Sequence, residues 1–131
     1  MQLALLHAQQ EHYDQATEML QRAATLAPEN PRVQYNLGNM HARQAVERGE
    51  LVNYGYADAA MRAYRRAIEL DPQFLKAYYN LACVTEKMSV QEGVTSWEQY
   101  LNAARDVPAE QEWLAKARRY LRNLQDTESL S

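Results

Sequence analysis

The chain has 131 residues, 47% hydrophobic and 24% charged, with a formal net charge of −3. That is enough for one domain with a packed core, and a slightly acidic balance gives no reason to expect nucleic acid or an anionic membrane as a partner. Four Gly and four Pro argue against a turn-rich β-protein, no apolar run approaches the length of a membrane span, and Cys83, the only cysteine, excludes an internal disulfide while leaving the redox compartment open.

Taken in order, the chain opens on MQLALLHAQQ, too short and too polar for a secretory signal. It then writes one module three times: ATEMLQRAATLAP (Ala16–Pro28), AMRAYRRAIELDP (Ala60–Pro72) and SWEQYLNAARDVP (Ser96–Pro108). Each begins with a small residue and has Leu or Tyr four residues on, Ala seven on and Pro twelve on. The apolar spacing marks one face of an amphipathic helix. The small residues let a neighbouring helix come close, and the Pro stands where a helix has just ended, since it donates no amide bond and restricts the residue before it.

A second module follows the proline. Pro28 to Leu37 and Pro72 to Leu81 are both nine residues, and each leads through Tyr-Asn-Leu to Gly38 or Ala82. The full unit is helix, turn, helix, Pro. Its period is not constant, because Leu37 to Ala60 spans 23 residues where Leu81 to Ser96 spans 15. The surplus is AVERGELVNY (Ala45–Tyr54). One reading lengthens both flanking helices, with Gly49 at a helix C-terminal turn and Val52, Tyr56, Ala60 and Tyr64 forming one stripe. The other makes Leu51, Val52, Tyr54 and Tyr56 an exposed contact patch. Residues 109–124 then read as a final helix with Trp113, Ala117, Tyr120, Leu121 and Leu124 on its apolar face and Lys116, Arg118, Arg119 and Arg122 on the other.

These anchors together resemble the tetratricopeptide repeat, a helix–turn–helix unit of about 34 residues with Leu-Gly, an aromatic, paired Ala and a closing Pro. Leu37-Gly38, Ala60, Tyr64, Ala67 and Pro72 carry the resemblance, as do Leu81-Ala82, Tyr100, Ala103 and Pro108. It covers roughly residues 1–108. Gln34 and Tyr78 stand where the repeat usually has Trp, and Glu11 where it usually has Gly. The resemblance implies an all-α helical-repeat solenoid of three helix–turn–helix units plus a C-terminal capping helix, stacked as a right-handed superhelical piece. The expected domain is 1–125, with repeats at about 1–30, 31–72 and 73–108, a capping helix at 109–125 and a flexible tail at 126–131. The first unit begins inside its first helix at Met1, which suggests a fragment of a longer array.

No catalytic constellation stands out. His7, His12 and His41 have no metal-ligand spacing, and there is no Gly-rich phosphate loop. The expectation is a protein that is not an enzyme and carries no metal or cofactor. The resemblance makes the first helix of each unit line an inner groove. On the helix from Arg32 that face carries Arg32, Tyr35, Asn36, Asn39 and Arg43; on the helix from Lys76 it carries Lys76, Tyr79, Asn80, Cys83 and Lys87, with Glu86 as the one acid. Asn at the places of Asn36 and Asn80 is implied to bond the backbone of an extended peptide. An amide offers both donors and an acceptor, which suits a peptide unit whatever its side chain, and Arg and Lys beside it select acidic groups. A polar helix face is also often no more than a solvated one.

The first inner helix offers Gln2, Leu5, Ala8 and Gln9, so a carboxylate clamp of the kind used by chaperone-tail receptors is incomplete. The leading expectation is a protein-interaction scaffold that binds a peptide or acidic partner segment in this groove. The alternative is an assembly module that self-associates through its N-terminal face or the Leu51–Tyr56 patch. Composition suggests a soluble, cytoplasmic protein but gives no address.

Overall fold

The computed structural model describes residues 15–130. Gln2, Leu5, His7, Ala8, Gln9, Glu11 and His12, with the N-terminal face they belong to, lie outside the described residues. Helix α1 occupies residues 15–26. It is followed by α2 (Pro31–Ala45), α3 (Tyr54–Leu70), α4 (Leu75–Met88), α5 (Val90–Ala104), a short 3₁₀ turn (Pro108–Glu110) and α6 (Gln111–Leu130). Neighbours in sequence are neighbours in space: α2 packs on α3, α3 on α4, α4 on α5 and α5 on α6. The fold is an all-α helical-repeat solenoid.

Local chemistry sets the helix ends. The Asn30 carboxamide accepts from the Arg32 and Val33 amides while Pro31 opens α2; Asn53 caps α3 through Tyr56 N–H. Ser89 ends α4 and also caps α5, accepting from Glu92 N–H. Gln34 and Tyr78, which replace the usual Trp, do equivalent work. Gln34 Nε2 donates to the Pro28 carbonyl at 3.2 Å, and Tyr78 OH donates to the Pro72 carbonyl at 2.8 Å. Each ties its helix back to the preceding proline turn.

Two buried clusters share α4. One joins Ala45, Ala57, Ala60, Met61 and Tyr64 to Leu81 and Val84; the other joins Ala82 to Trp97, Tyr100, Ala104, Leu114 and Ala117. The small residues expected at packing slots are there: Ala60 and Ala67 are fully buried and Ser96 nearly so. Gly38 makes the closest approach, because a Cβ at that position would stand 2.6 Å from the Tyr64 ring.

The structure corrects three local expectations. The surplus residues do not lengthen α2 and α3. They form an antiparallel hairpin, β1 (Val46–Glu47) and β2 (Glu50–Leu51), with Val46 opposite Leu51. Gly49 is left-handed (φ 80) as expected, but in a two-residue turn with Arg48 (φ 54) rather than at a helix end. The twist of such a turn suits tightly paired strands. Val52 therefore lies outside α3, and the helical stripe fades outward from the buried Ala60 and Tyr64 to Tyr56, which is 39% exposed. Second, α6 packs through Leu114 and Ala117, both fully buried, while Trp113 and Tyr120 lie at the edge of its apolar face. Third, α6 continues through Leu130, with Thr127 and Ser129 hydroxyls donating to carbonyls one turn back.

Burial also moves titrations. The Cys83 thiol, ordinarily near 9.0, is pushed up to about 12, first by burial and then by the nearby Glu86, with Lys87 opposing. Burial pushes the Tyr64 hydroxyl upward too, with Tyr35 adding and the Asn80 amide nearby opposing.

Two outcomes are expected. Gly38→Ala forces its methyl into a fully packed ring and should cost about 1–3 kcal/mol, read as a lower urea midpoint; an unchanged midpoint would show that Tyr64 yields freely. For the thiol, the folded state holds its proton more tightly than the unfolded state. Its contribution is complete below about pH 9 and is lost as pH rises toward about 12. Wild-type stability measured by urea titration should fall across that range by up to about 1.4 kcal/mol per pH unit for this group. Cys83→Ala should fall less steeply, and parallel curves would remove Cys83 as a source.

Candidate functional site

The inner wall is built from α2 and α4, and equivalent positions recur 44 residues apart: Arg32 with Lys76, Tyr35 with Tyr79, Asn36 with Asn80, Arg43 with Lys87. Between the two helices lies an open groove of about 660 Å³. Among the described residues, Asn36, Asn39, Arg43, Asn80, Cys83 and Lys87 supply its polar lining, over an apolar floor that includes Met40 and Val84. No carboxylate is among its described lining residues. The structure thus brings together six of the inner-face residues that the helical pattern selects.

The amides are not equivalent. Asn80 Nδ2 donates to Asn39 Oδ1 at 2.9 Å and to Tyr35 OH at 3.1 Å. Asn39 Oδ1 also accepts from the buried Tyr64 hydroxyl at 2.6 Å. Asn80 is therefore a tie between α2 and α4, its two amide hydrogens spent on the protein itself. Its carbonyl oxygen and the Asn39 amide nitrogen have no hydrogen-bond partner among the described residues. Since no buried side-chain N or O atom lacks one among the described residues, both atoms reach solvent. Asn36 makes no side-chain hydrogen bond to any described residue.

The cations divide too. Lys87 Nζ donates to the Gly49 carbonyl at 2.9 Å, linking the hairpin turn to the end of α4. Arg32, Arg43 and Lys76 are exposed and form no ion pair with a described residue. Arg32 and Lys76 lie with Tyr35 and Asn36 in a neighbouring recess of about 600 Å³ that also contains Asp71 and Glu110. That end is mixed in charge, and the basic character belongs to the Arg43 and Lys87 end. Glu86, the acid expected in the groove, instead accepts from Trp97 Nε1 at 2.8 Å. Tyr79 is anchored inward, edge-on to Trp97 and Tyr100 at 5.0 and 5.3 Å. From α6 it is Tyr120, Asn123 and Leu124 that face Glu86 and Lys87.

Cys83 lines the groove, but with its thiol pushed up to about 12 it is protonated near neutrality and is a poor nucleophile there. Among the described residues no three His, Cys, Asp or Glu side chains cluster to hold a metal ion, and no helix is long and apolar enough to cross a membrane. At the hairpin base Val52 and Tyr54 are 56% and 65% exposed, beside Tyr56. Leu51 is half-buried against the first core and stands apart from that patch. The contribution of Glu110 was not legible from repeat spacing, because it follows the last proline, where the pattern no longer assigns a face.

Known proteins agree with this architecture. The tetratricopeptide repeat pattern matches residues 1–40, and a TPR repeat pattern matches residues 55–89, together more than half of the chain. A mouse protein, Protein O-mannosyl-transferase TMTC1, is 30% identical over 125 residues, which is 95% of this chain and 13% of that protein. The chain thus spans only that small part of the curated relative it matches. The Yersinia enterocolitica type III secretion chaperone SycD, solved with a peptide of the translocator YopD, superimposes with a TM-score of 0.72 at 20% identity, covering 97% of this chain and 90% of SycD. The first TPR of Spaghetti (RPAP3), bound to the HSP90 peptide SRMEEVD, gives 0.68 at 16% identity, covering 98% of this chain and 89% of that one. With its repeat spacing, its stacked helix pairs and both pattern matches in accord, the chain belongs to the tetratricopeptide repeat family.

Proposed function

We propose that this protein is a non-catalytic interaction scaffold that holds an extended, acidic peptide segment of a partner in the groove between α2 and α4. The observation that supports it most is the groove itself: about 660 Å³, open, with Arg43 and Lys87 at one end and no carboxylate in its described lining. Asn36, without a side-chain hydrogen bond among the described residues, supplies amide donors and an acceptor to a peptide backbone. The Asn39 amide nitrogen adds its two N–H donors and the Asn80 carbonyl oxygen an acceptor, both in fixed orientation. That structural neighbours were solved with peptides bound is consistent with the same use here.

The amide geometry separates roles that look identical in sequence. Against an array of synthetic acidic peptides, Asn36→Ala should weaken capture about fivefold, as loss of one or two hydrogen bonds predicts, with an unchanged melting temperature. Asn80→Ala should weaken capture and also lower stability by about 1–2 kcal/mol, since it removes both hydrogen bonds that tie α4 to Asn39 and Tyr35. Arg43→Glu should abolish preference for acidic over neutral peptides, and wild-type capture should fall with added salt. Salt-insensitive capture, or full capture by both Asn36→Ala and Arg43→Glu, would sink the reading.

A second reading rests on the exposed trio Val52, Tyr54 and Tyr56, the composition of a contact patch. It makes the hairpin base a self-association surface. Sedimentation should then show mass rising with concentration and Tyr54→Asp holding the chain monomeric; a wild-type monomer at every concentration removes it.

A further inference from the structure

Beside the basic groove is a second recess of about 270 Å³ that shares Asn80 with it. Tyr35 of α2, Leu75 and Tyr79 of α4 and Trp113 of α6 form its apolar walls, and Lys76 and Glu110 are its charged members. The walls are preformed. Tyr79 is braced from behind by Trp97 and Tyr100, and it meets Trp113 edge-on at 5.3 Å. Trp113 is 45% exposed all the same, and its indole N–H has no partner among the described residues. A large ring held in place yet left half in water is a surface that gains by being covered.

We propose that this recess receives one large apolar side chain, aromatic or branched aliphatic, from the same peptide whose acidic residues lie against Arg43 and Lys87. The inference rests on the groove reading above and adds the partner's second recognition element. The charges favour an apolar occupant. A cation, which aromatic walls can also hold, would meet Lys76 inside and the Lys116 ammonium 4.7 Å from the Trp113 ring centroid. An anion would meet Glu110, whose carboxylate already accepts from Tyr100 OH at 2.6 Å. Spacing follows from the helix that both recesses share. Asn80 and Lys87 are seven residues apart on α4, about 10 Å of helical rise. An extended chain covers about 3.3–3.6 Å per residue, so the apolar residue should fall about three or four positions from the acidic pair.

The test uses synthetic dodecapeptides of Gly, Ser and Ala carrying an Asp-Glu pair with Phe three or four positions to either side, and controls with Ala or Lys in place of Phe. Binding is read by anisotropy of the labelled peptide and by tryptophan emission, to which the peptides, lacking Trp, add nothing; the background of the fully buried Trp97 is subtracted with the Trp113→Phe variant. A Phe peptide should bind about tenfold more tightly than its Ala control and shift Trp113 emission to the blue. Trp113→Ala should erase the Phe preference while leaving salt sensitivity intact, and Trp113→Phe should restore part of it. The comparison of peptides on the wild-type chain needs no variant to fold. Equal, salt-sensitive binding of Phe and Ala peptides overturns the recess while leaving the groove reading standing. Binding of neither overturns both, and preference for the Lys peptide replaces the apolar occupant with a cation.

Discussion

The seating of Tyr64 is the constraint on which the rest of the inner wall depends. Its ring, fully buried on α3, fits only because Gly38 on α2 has no side chain to occupy the same space. That approach carries the hydroxyl through to the inner face, where it donates to Asn39. Asn39, with its oxygen so occupied, takes one hydrogen from Asn80, and the other goes to Tyr35. A core contact thereby fixes which way two amides on the opposite face point. An isolated Asn on a helix surface would turn freely, and these two present a defined acceptor and a defined donor.

Helix α4 inherits this order and passes it on. Leu81 and Val84 face the first cluster and Ala82 the second, so the helix is clamped between both cores. Its exposed edge is correspondingly rigid, and Lys76, Tyr79, Asn80 and Lys87 sit on a fixed rail rather than on a loop. The hairpin is tied to the same rail through Lys87 and the Gly49 carbonyl, while Val46 and Leu51 rest on the first core. What looks in sequence like a surplus is the end wall of the groove.

Much of this was legible because helix packing is periodic. Small residue, aromatic, Ala and Pro recur at fixed intervals, and Ala60, Tyr64, Ala67, Ser96 and Tyr100 are all buried as their spacing implies. Legibility fails where periodicity does. In VERGEL the left-handed Gly49 suits a helix end as well as a hairpin turn, and only the pairing of Val46 with Leu51 across Arg48-Gly49 decides between them. On α6 the large Trp113 looks like the anchor, but a shift of one residue, about 100° around the helix, gives Leu114 instead while sharing Ala117, Leu121 and Leu124 with the other choice. The difference between Asn36 and Asn80 could not be read at all. Both sit in the same Tyr-Asn-Leu, and only contacts across the repeat boundary distinguish them.

The sign of the groove follows from the same packing. The three large aromatics buried on the outer helices each carry a polar atom that must find a partner, and the partners lie on or near the inner wall: Asn39 for Tyr64, Glu86 for Trp97, Glu110 for Tyr100. Two of these are carboxylates, now held by neutral donors rather than by Arg or Lys. The ion pairs that do form among the described residues, such as Arg62 with Asp58 and Arg66 with Glu69, lie along exposed helix surfaces, where they contribute little to stability. Among the described residues Arg43 pairs with no acid, and Lys87 donates to a backbone carbonyl. A chain with a net charge of −3 thus presents Arg43 and Lys87 in a groove whose described lining holds no carboxylate, because Glu86 and Glu110, still charged, are held by buried aromatics outside that lining. The positive end is a product of how the core is satisfied, which is why a substitution at Trp97, remote from the groove, would leave the Glu86 carboxylate free to turn toward its neighbour Lys87.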